Sequence, residues 1–114
     1  MLPPSVPSVP AADVPPGATI LDVREDDEWE AGHVDGALHV PMGQVPARLQ
    51  EVTDAAPDGE ALVVVCRSGG RSARVVEWLV RNGVDAVNLD GGMGAWQAAG
   101  RPMVSQGDAE PFVR

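Results

Sequence analysis

Three short apolar runs punctuate the chain: Ala18-Thr19-Ile20-Leu21-Asp22-Val23, Ala61-Leu62-Val63-Val64-Val65-Cys66 and Ala86-Val87-Asn88-Leu89. The second is the most continuous. Unbroken hydrophobicity, rather than strict alternation, predicts strands covered on both faces, as in a parallel sheet. Between the runs the period changes to that of a helix. Gln44–Val52 places Val45, Leu49 and Val52 on one face, with Pro46 in its first turn. Ser72–Asn82 sets Val76, Leu79 and Val80 against Arg74, Glu77 and Arg81 on the opposite side, and Gly83 stops it. Asp27–Ala31 reads as a short helical turn with acids at its start, ended by Gly32. Met93–Ala99 is stopped by Gly100, with Pro102 just beyond. Strands alternating with helices predict an α/β fold with a mainly parallel sheet, in which sites form at the carboxyl ends of strands.

The ends of the chain read differently. Pro3, Pro4, Pro7, Pro10, Pro15 and Pro16 crowd the first sixteen residues. They exclude a helix there and leave room for one edge strand near Ser8–Val9. The compact unit is expected over residues 8–102, between a Pro-rich tail (1–7) and an irregular C-terminal tail (103–114). No internal repeat and no second domain is visible.

The chain has 114 residues, 44% of them hydrophobic, which is enough for one core. No apolar run reaches the length of a membrane span, and the opening Met1-Leu2-Pro3-Pro4-Ser5 has none of the features of a secretory leader, so a cytoplasmic protein is expected. The single cysteine fits that compartment as a free thiol. One Cys with His33 and His39 makes no zinc set, so no metal and no cofactor is expected. The formal net charge of −9 argues against nucleic acid and anionic membranes as partners. The charge is uneven, however. All eight basic residues are arginines, and Arg67, Arg71, Arg74 and Arg81 share the window 66–81 with one acid, Glu77. Arg74 and Arg81 fit an exposed helix face with a Glu77/Arg81 pair. Arg67 and Arg71 precede the predicted helix and instead suggest a small anion site.

That window also holds the candidate chemistry. Cys66 ends the strongest strand, and Arg67-Ser68-Gly69-Gly70-Arg71 leads into the helix. A tight turn with two glycines lets several backbone N–H groups converge on one point, and the positive end of the following helix aims at the same place. A thiolate there is stabilised, so a lowered Cys66 pKa is expected. A lone cysteine read without its neighbours would be a buried core residue. Its strand-end position, the Gly-Gly pair and the flanking arginines favour an activated nucleophile instead.

Leu21-Asp22-Val23-Arg24, Glu28-Trp29, Gly32-His33-Val34-Asp35-Gly36-Ala37, Val40-Pro41, the loop Cys66-Arg67-Ser68-Gly69-Gly70-Arg71-Ser72, Asp90-Gly91-Gly92-Met93 with Trp96, and Gly100-Arg101-Pro102 follow one another in order. This series resembles the rhodanese family in its single-domain form, over nearly the whole compact unit. The resemblance implies a three-layer α/β fold with a small, mostly parallel five-stranded sheet flanked by helices. It also implies a sulfurtransferase whose cysteine cycles through a persulfide. Within this fold the sulfur-transferring members have a six-residue loop, whereas related dual-specificity phosphatases carry C-x5-R. Here Arg71 follows Cys66 by five positions, a C-x4-R pattern, and position +6 is Ser72, which cannot make the bidentate phosphate contact of an arginine.

The expected site is therefore Cys66 as nucleophile, with Arg67, Ser68, Gly69, Gly70, Arg71 and Ser72 as the cradle for a persulfide and its donor. Two arginines suit a doubly charged inorganic donor such as thiosulfate better than an organic mercapto-acid. The acceptor is cyanide in an assay, and a thiol or a protein in a cell; a protein-to-protein sulfur relay for cofactor or tRNA thiolation is the alternative reading, and a non-catalytic binding module and a phosphatase rank behind it. Asp22 and Arg24 are supporting candidates, either hydrogen-bonding the loop or pairing with Glu25 or Glu28. His33 reads as shaping a turn, and Trp29, Trp78 and Trp96 as packing. Gly91-Gly92 reads as a strand-to-helix turn, since no Lys follows to make a phosphate loop.

Overall fold

A computed structural model describes residues 6–114. Most of the Pro-rich tail expected over 1–7 lies outside those residues. The elements run β1 (Ser8–Pro10), β2 (Ile20–Asp22), α1 (Asp26–Ala31), β3 (Leu38–His39), α2 (Leu49–Ala55), β4 (Leu62–Val65), α3 (Gly70–Arg81), β5 (Ala86–Asp90) and α4 (Gly92–Ala98), with single 3-10 turns at Ala11–Asp13 and Met42–Gln44. The five strands form one sheet in the order β1-β5-β4-β2-β3, and every pairing between them is parallel.

The continuous apolar runs have the cause expected of them. In β4, Leu62 and Val64 face a core shared with Val52, Val75, Val76 and Leu79 from α2 and α3. Val63 and Val65 face the other side, where Leu89, Met93 and Trp96 pack from β5 and α4. Alternation is present, but both faces are dry, so both sets of side chains are apolar.

Two helices depart most from the expected bounds, and one strand was not expected at all. The helix placed at Gln44–Val52 divides into the 3-10 turn at Met42–Gln44 and α2, which runs on to Ala55. Pro46 lies between them and lacks the N–H that a continuous helix would use. The helix expected to start at Ser72 starts at Gly70, because Gly69 makes the whole turn in one left-handed step at φ 104°. The two-residue strand β3 is too short to leave a periodic signal; it pairs with β2 through Leu21 opposite Leu38 and Asp22 opposite His39. Beyond residue 102 the chain is irregular but attached: Val104 bridges His33, the Gln106 N–H donates to the Glu30 carbonyl, and that of Phe112 donates to Ala31.

The start of α4 is fitted beneath the loop that follows β4. The Met93 N–H donates to the Cys66 carbonyl at 2.8 Å and the Gly94 N–H to the Arg67 carbonyl at 3.0 Å. A Cβ on Gly92, which sits at φ +60°, would stand 2.5 Å from the Cys66 oxygen and 2.6 Å from Arg67 backbone atoms. Gly91-Gly92 is thus the strand-to-helix turn expected of it, and its second glycine is required by backbone proximity. Gly92→Ala is expected to cost about 3 kcal/mol, combining a left-handed alanine with overpacking. Gly17→Ala, equally left-handed but with nothing within 4 Å of its Cβ, should cost only about 1 kcal/mol. Urea denaturation of the two variants checks the difference.

Candidate active site

Cys66 leaves the end of β4 with its side chain turned into the α3 side of the sheet, 1% exposed. The Gly69 N–H donates to its Sγ at 3.0 Å, and the Ser72 Oγ lies 3.2 Å from the same sulfur. The loop carbonyls face elsewhere. Those of Cys66 and Arg67 accept from α4, and that of Gly69 accepts from the Ala73 N–H at 3.1 Å and the Asn88 Nδ2 at 3.1 Å. With the carbonyls held outward, the amides are left facing the thiol. Burial raises the Cys66 pKa, but the Ser72 hydroxyl and the backbone amides of Ser72, Gly69 and Ser68 outweigh it and leave the thiol below its ordinary value.

The two loop arginines have different surroundings. Arg67 is exposed and makes no ion pair among the described residues. Arg71 is half-buried and paired: its Nη1 and Nη2 donate to Glu28 Oε1 and Oε2 at 2.7 and 2.8 Å. The Arg71 hydrogen bond holds the Glu28 carboxyl down to about 2, and the same contact raises Arg71. Glu28 has a second task. Its Oε1 accepts from the Glu25 N–H at 3.1 Å, closing a capping box at the start of α1. One carboxylate thus joins the N-terminus of α1 to Arg71 at the start of α3, beside the Cys66 loop.

Asp22 and Arg24 pair with each other, and not with Glu25 or Glu28. Arg24 Nε and Nη2 donate to the Asp22 carboxylate at 2.9 and 2.7 Å, and Nη2 also donates to the Gly32 carbonyl at 2.7 Å. Both side chains are fully buried. Two residues on one side of the chain can close a fork on themselves, which the longer reach to Glu28 does not improve on. They brace the turn from β2 into α1 and make no hydrogen bond to the loop. His33 holds a turn, its Nδ1 2.6 Å from the Trp29 carbonyl oxygen. Trp29 is stacked between His33 and His39 with ring centroids 3.6 and 4.6 Å away. Trp96 is core, and Trp78 lines a surface groove with Met42, Val45 and Val75.

Two residues of the site were not anticipated as such. Glu28 belongs to a sequence pattern but gives no hint of a partner 43 positions away. Asn88 leaves a trace: it is the one polar residue in the run Ala86-Val87-Asn88-Leu89. A strand dry on both faces has no reason to hold an amide unless the amide has partners. It is 7% exposed and bonds both Gly69 and Ser72.

The rhodanese-like domain model matches residues 11–99. The putative sulfurtransferase YtwF of Bacillus subtilis is 36% identical over 83 residues, covering 73% of this chain and 77% of that protein. The thiosulfate sulfurtransferase GlpE of Pseudomonas putida is 33% identical over 95 residues, covering 82% and 83%. Among solved structures, a rhodanese-related protein from Thermoplasma volcanium superposes with a TM-score of 0.76 at 30% identity, over 86% of this chain and 97% of that one. The chain belongs to the rhodanese-like domain family, in which relatives such as YtwF and GlpE carry the name sulfurtransferase.

The Glu28–Arg71 pair makes stability depend on pH. A carboxylate whose folded pKa is depressed to about 2 stabilises the protein above its unfolded value near 4.5, and that contribution is lost as pH falls from about 4.5 to about 2. Glu28→Gln is expected to lower stability at neutral pH by about 1–2 kcal/mol. The loss relative to wild type should shrink through that acid window. Thermal melts of both proteins at pH 7, 4 and 3 check it.

Proposed function

We propose that the protein is a sulfurtransferase that carries sulfane sulfur on Cys66. The observation that supports this most is the buried thiol at a strand end, ringed by loop amides and one hydroxyl, with Arg67 and Arg71 beside it. The Cys66 thiolate attacks the outer sulfur of an anionic donor such as thiosulfate. A bond forms between Cys66 Sγ and that sulfur, the sulfur–sulfur bond of the donor breaks, and sulfite departs with the electron pair. Cys66 is left as a persulfide anion. A thiophilic acceptor, cyanide in the test tube and a thiol or a protein in the cell, then takes the outer sulfur and restores the thiolate. The chemistry is covalent and ping-pong.

The chain supplies three things to these steps. The amides of Ser68, Gly69 and Ser72 hold negative charge on sulfur, as an oxyanion hole holds it on oxygen. Exposed Arg67 meets the anionic donor with its full complement of N–H groups. Arg71, two of whose five N–H hydrogens go to Glu28, presents the remainder from a fixed position. A pinned guanidinium orients a donor with little loss of side-chain freedom. No general base is required where the thiol is already ionised.

Thiocyanate formation from thiosulfate and cyanide is expected for the wild type and absent for Cys66→Ser. The intact mass after incubation with donor should rise by one sulfur atom, removable by reductant. Arg67→Ala is expected to raise KM for thiosulfate roughly tenfold, with a smaller change in kcat. Wild-type protein that neither turns over thiosulfate nor gains sulfur would overturn the reading, as would full activity in Cys66→Ser.

A further inference from the structure

Ser72 has one hydroxyl hydrogen and two groups competing for it. Its Oγ lies 3.2 Å from Cys66 Sγ and 2.5 Å from Asn88 Oδ1. The orientation of the Asn88 amide is settled from its other end. The Gly69 carbonyl, 3.1 Å from Nδ2, can only accept, so the NH2 group faces it and Oδ1 faces Ser72. Oδ1 can only accept as well, and it needs the Ser72 hydrogen. Parity along β5 puts Asn88 there: Val87 and Leu89 face the α4 side, while Ala86 and Asn88 face the side that holds Cys66.

The four groups close a ring. The Gly69 N–H donates to Sγ, the Gly69 carbonyl accepts from Asn88, Asn88 accepts from Ser72, and the Ser72 oxygen faces Sγ. With a protonated thiol every link has a donor, since S–H can donate to the Ser72 oxygen. With a thiolate the last link places two lone-pair-bearing atoms face to face unless the Ser72 hydrogen leaves Asn88.

We propose that Asn88 is a positioning residue that competes with Cys66 for the Ser72 hydrogen, holding it while the sulfur is uncharged and yielding it when the sulfur is a thiolate. In a persulfide the inner sulfur is uncharged and carries no hydrogen, so it neither donates to the Ser72 oxygen nor draws the Ser72 hydrogen from Asn88 as a thiolate would. The charged groups near Cys66 are Arg67 in the loop, Arg71 on α3 with Glu28 from α1, and the Asp22–Arg24 pair at the end of β2. None of them hydrogen-bonds Ser72 or Asn88 among the described residues.

The inference rests on Cys66 as the reacting atom of the proposed sulfurtransferase, but its test uses no sulfur donor, so the two can fail separately. Iodoacetamide alkylation of Cys66, the only cysteine, is followed against pH in wild type, Asn88→Ala, Ser72→Ala and the double variant. Removing the Asn88 acceptor should free the hydrogen for the thiolate and lower the midpoint by on the order of one pH unit, the difference between a neutral and a charge-assisted hydrogen bond. In the Ser72→Ala background the same substitution should produce no such lowering. Equal shifts in both backgrounds would show Asn88 acting only through the loop and would overturn the proposal. A second measurement needs no Asn88 variant. The Asn88 side-chain carbonyl carbon signal in NMR should move through the Cys66 midpoint in wild type and lose most of that movement in Ser72→Ala. A signal that stays flat in wild type, or moves equally in both, would also overturn it.

Discussion

The site depends on where the carbonyls of one loop are sent. A backbone segment carries as many acceptors as donors, and a cradle for an anion works only if the acceptors are turned away from it. Here α4 takes the Cys66 and Arg67 carbonyls through the N–H groups of Met93 and Gly94, and Ala73 and Asn88 take that of Gly69. These N–H groups at the start of α4 belong to the first helical turn and have no partners within their own helix. Two needs are met together: α4 gains acceptors for its first turn, and the loop is left with amides facing the sulfur. The two-glycine turn at Gly91-Gly92 is what brings α4 close enough.

Much of this was legible in the sequence. The unbroken apolar runs pointed to a sheet covered on both faces, and Gly69-Gly70 after a strand-end cysteine pointed to converging amides. What escaped the reading shares a physical cause. β3 is two residues long and has no period. The split at Pro46 is a matter of local backbone, visible as a proline but ambiguous between a first-turn residue and a break. The Glu28–Arg71 pair joins residues far apart in the chain, and a sequence full of acids offers many candidate partners for any arginine. Asp22 and Arg24 lie two positions apart and close on themselves, so they leave the loop alone. Asn88 was visible as a polar residue in a dry strand, but its meaning depends on the parity of β5 against β4, which is a property of the assembled sheet.

The charge pattern also takes on a finer meaning. A cationic spot on an acidic chain suggested that both loop arginines wait for an anion. Glu28 separates the two: one guanidinium is held in place by the carboxylate whose pKa it depresses to about 2, and the other is exposed and makes no ion pair among the described residues. The local balance of charge around the sulfur is then closer to neutral than a count of arginines implies, and the backbone amides carry a larger share of the stabilisation of the sulfur anion. Amide dipoles fixed by tertiary hydrogen bonds have little to reorganise when charge arrives.

Helix α1 buries none of its residues. It is held by the capping carboxylate that also grips Arg71, by Trp29 between two imidazoles, and at its far end by the N–H groups of Gln106 and Phe112 on the carbonyls of Glu30 and Ala31. Such an element has little of its own to resist opening. It therefore behaves as a short lever: the C-terminal segment is fastened to one end and the guanidinium beside the sulfur to the other. A force applied to residues 106–112, by a tether or a surface that captures them, would reach Glu28 two to three residues back along the helix and be felt there as a change in where Arg71 points.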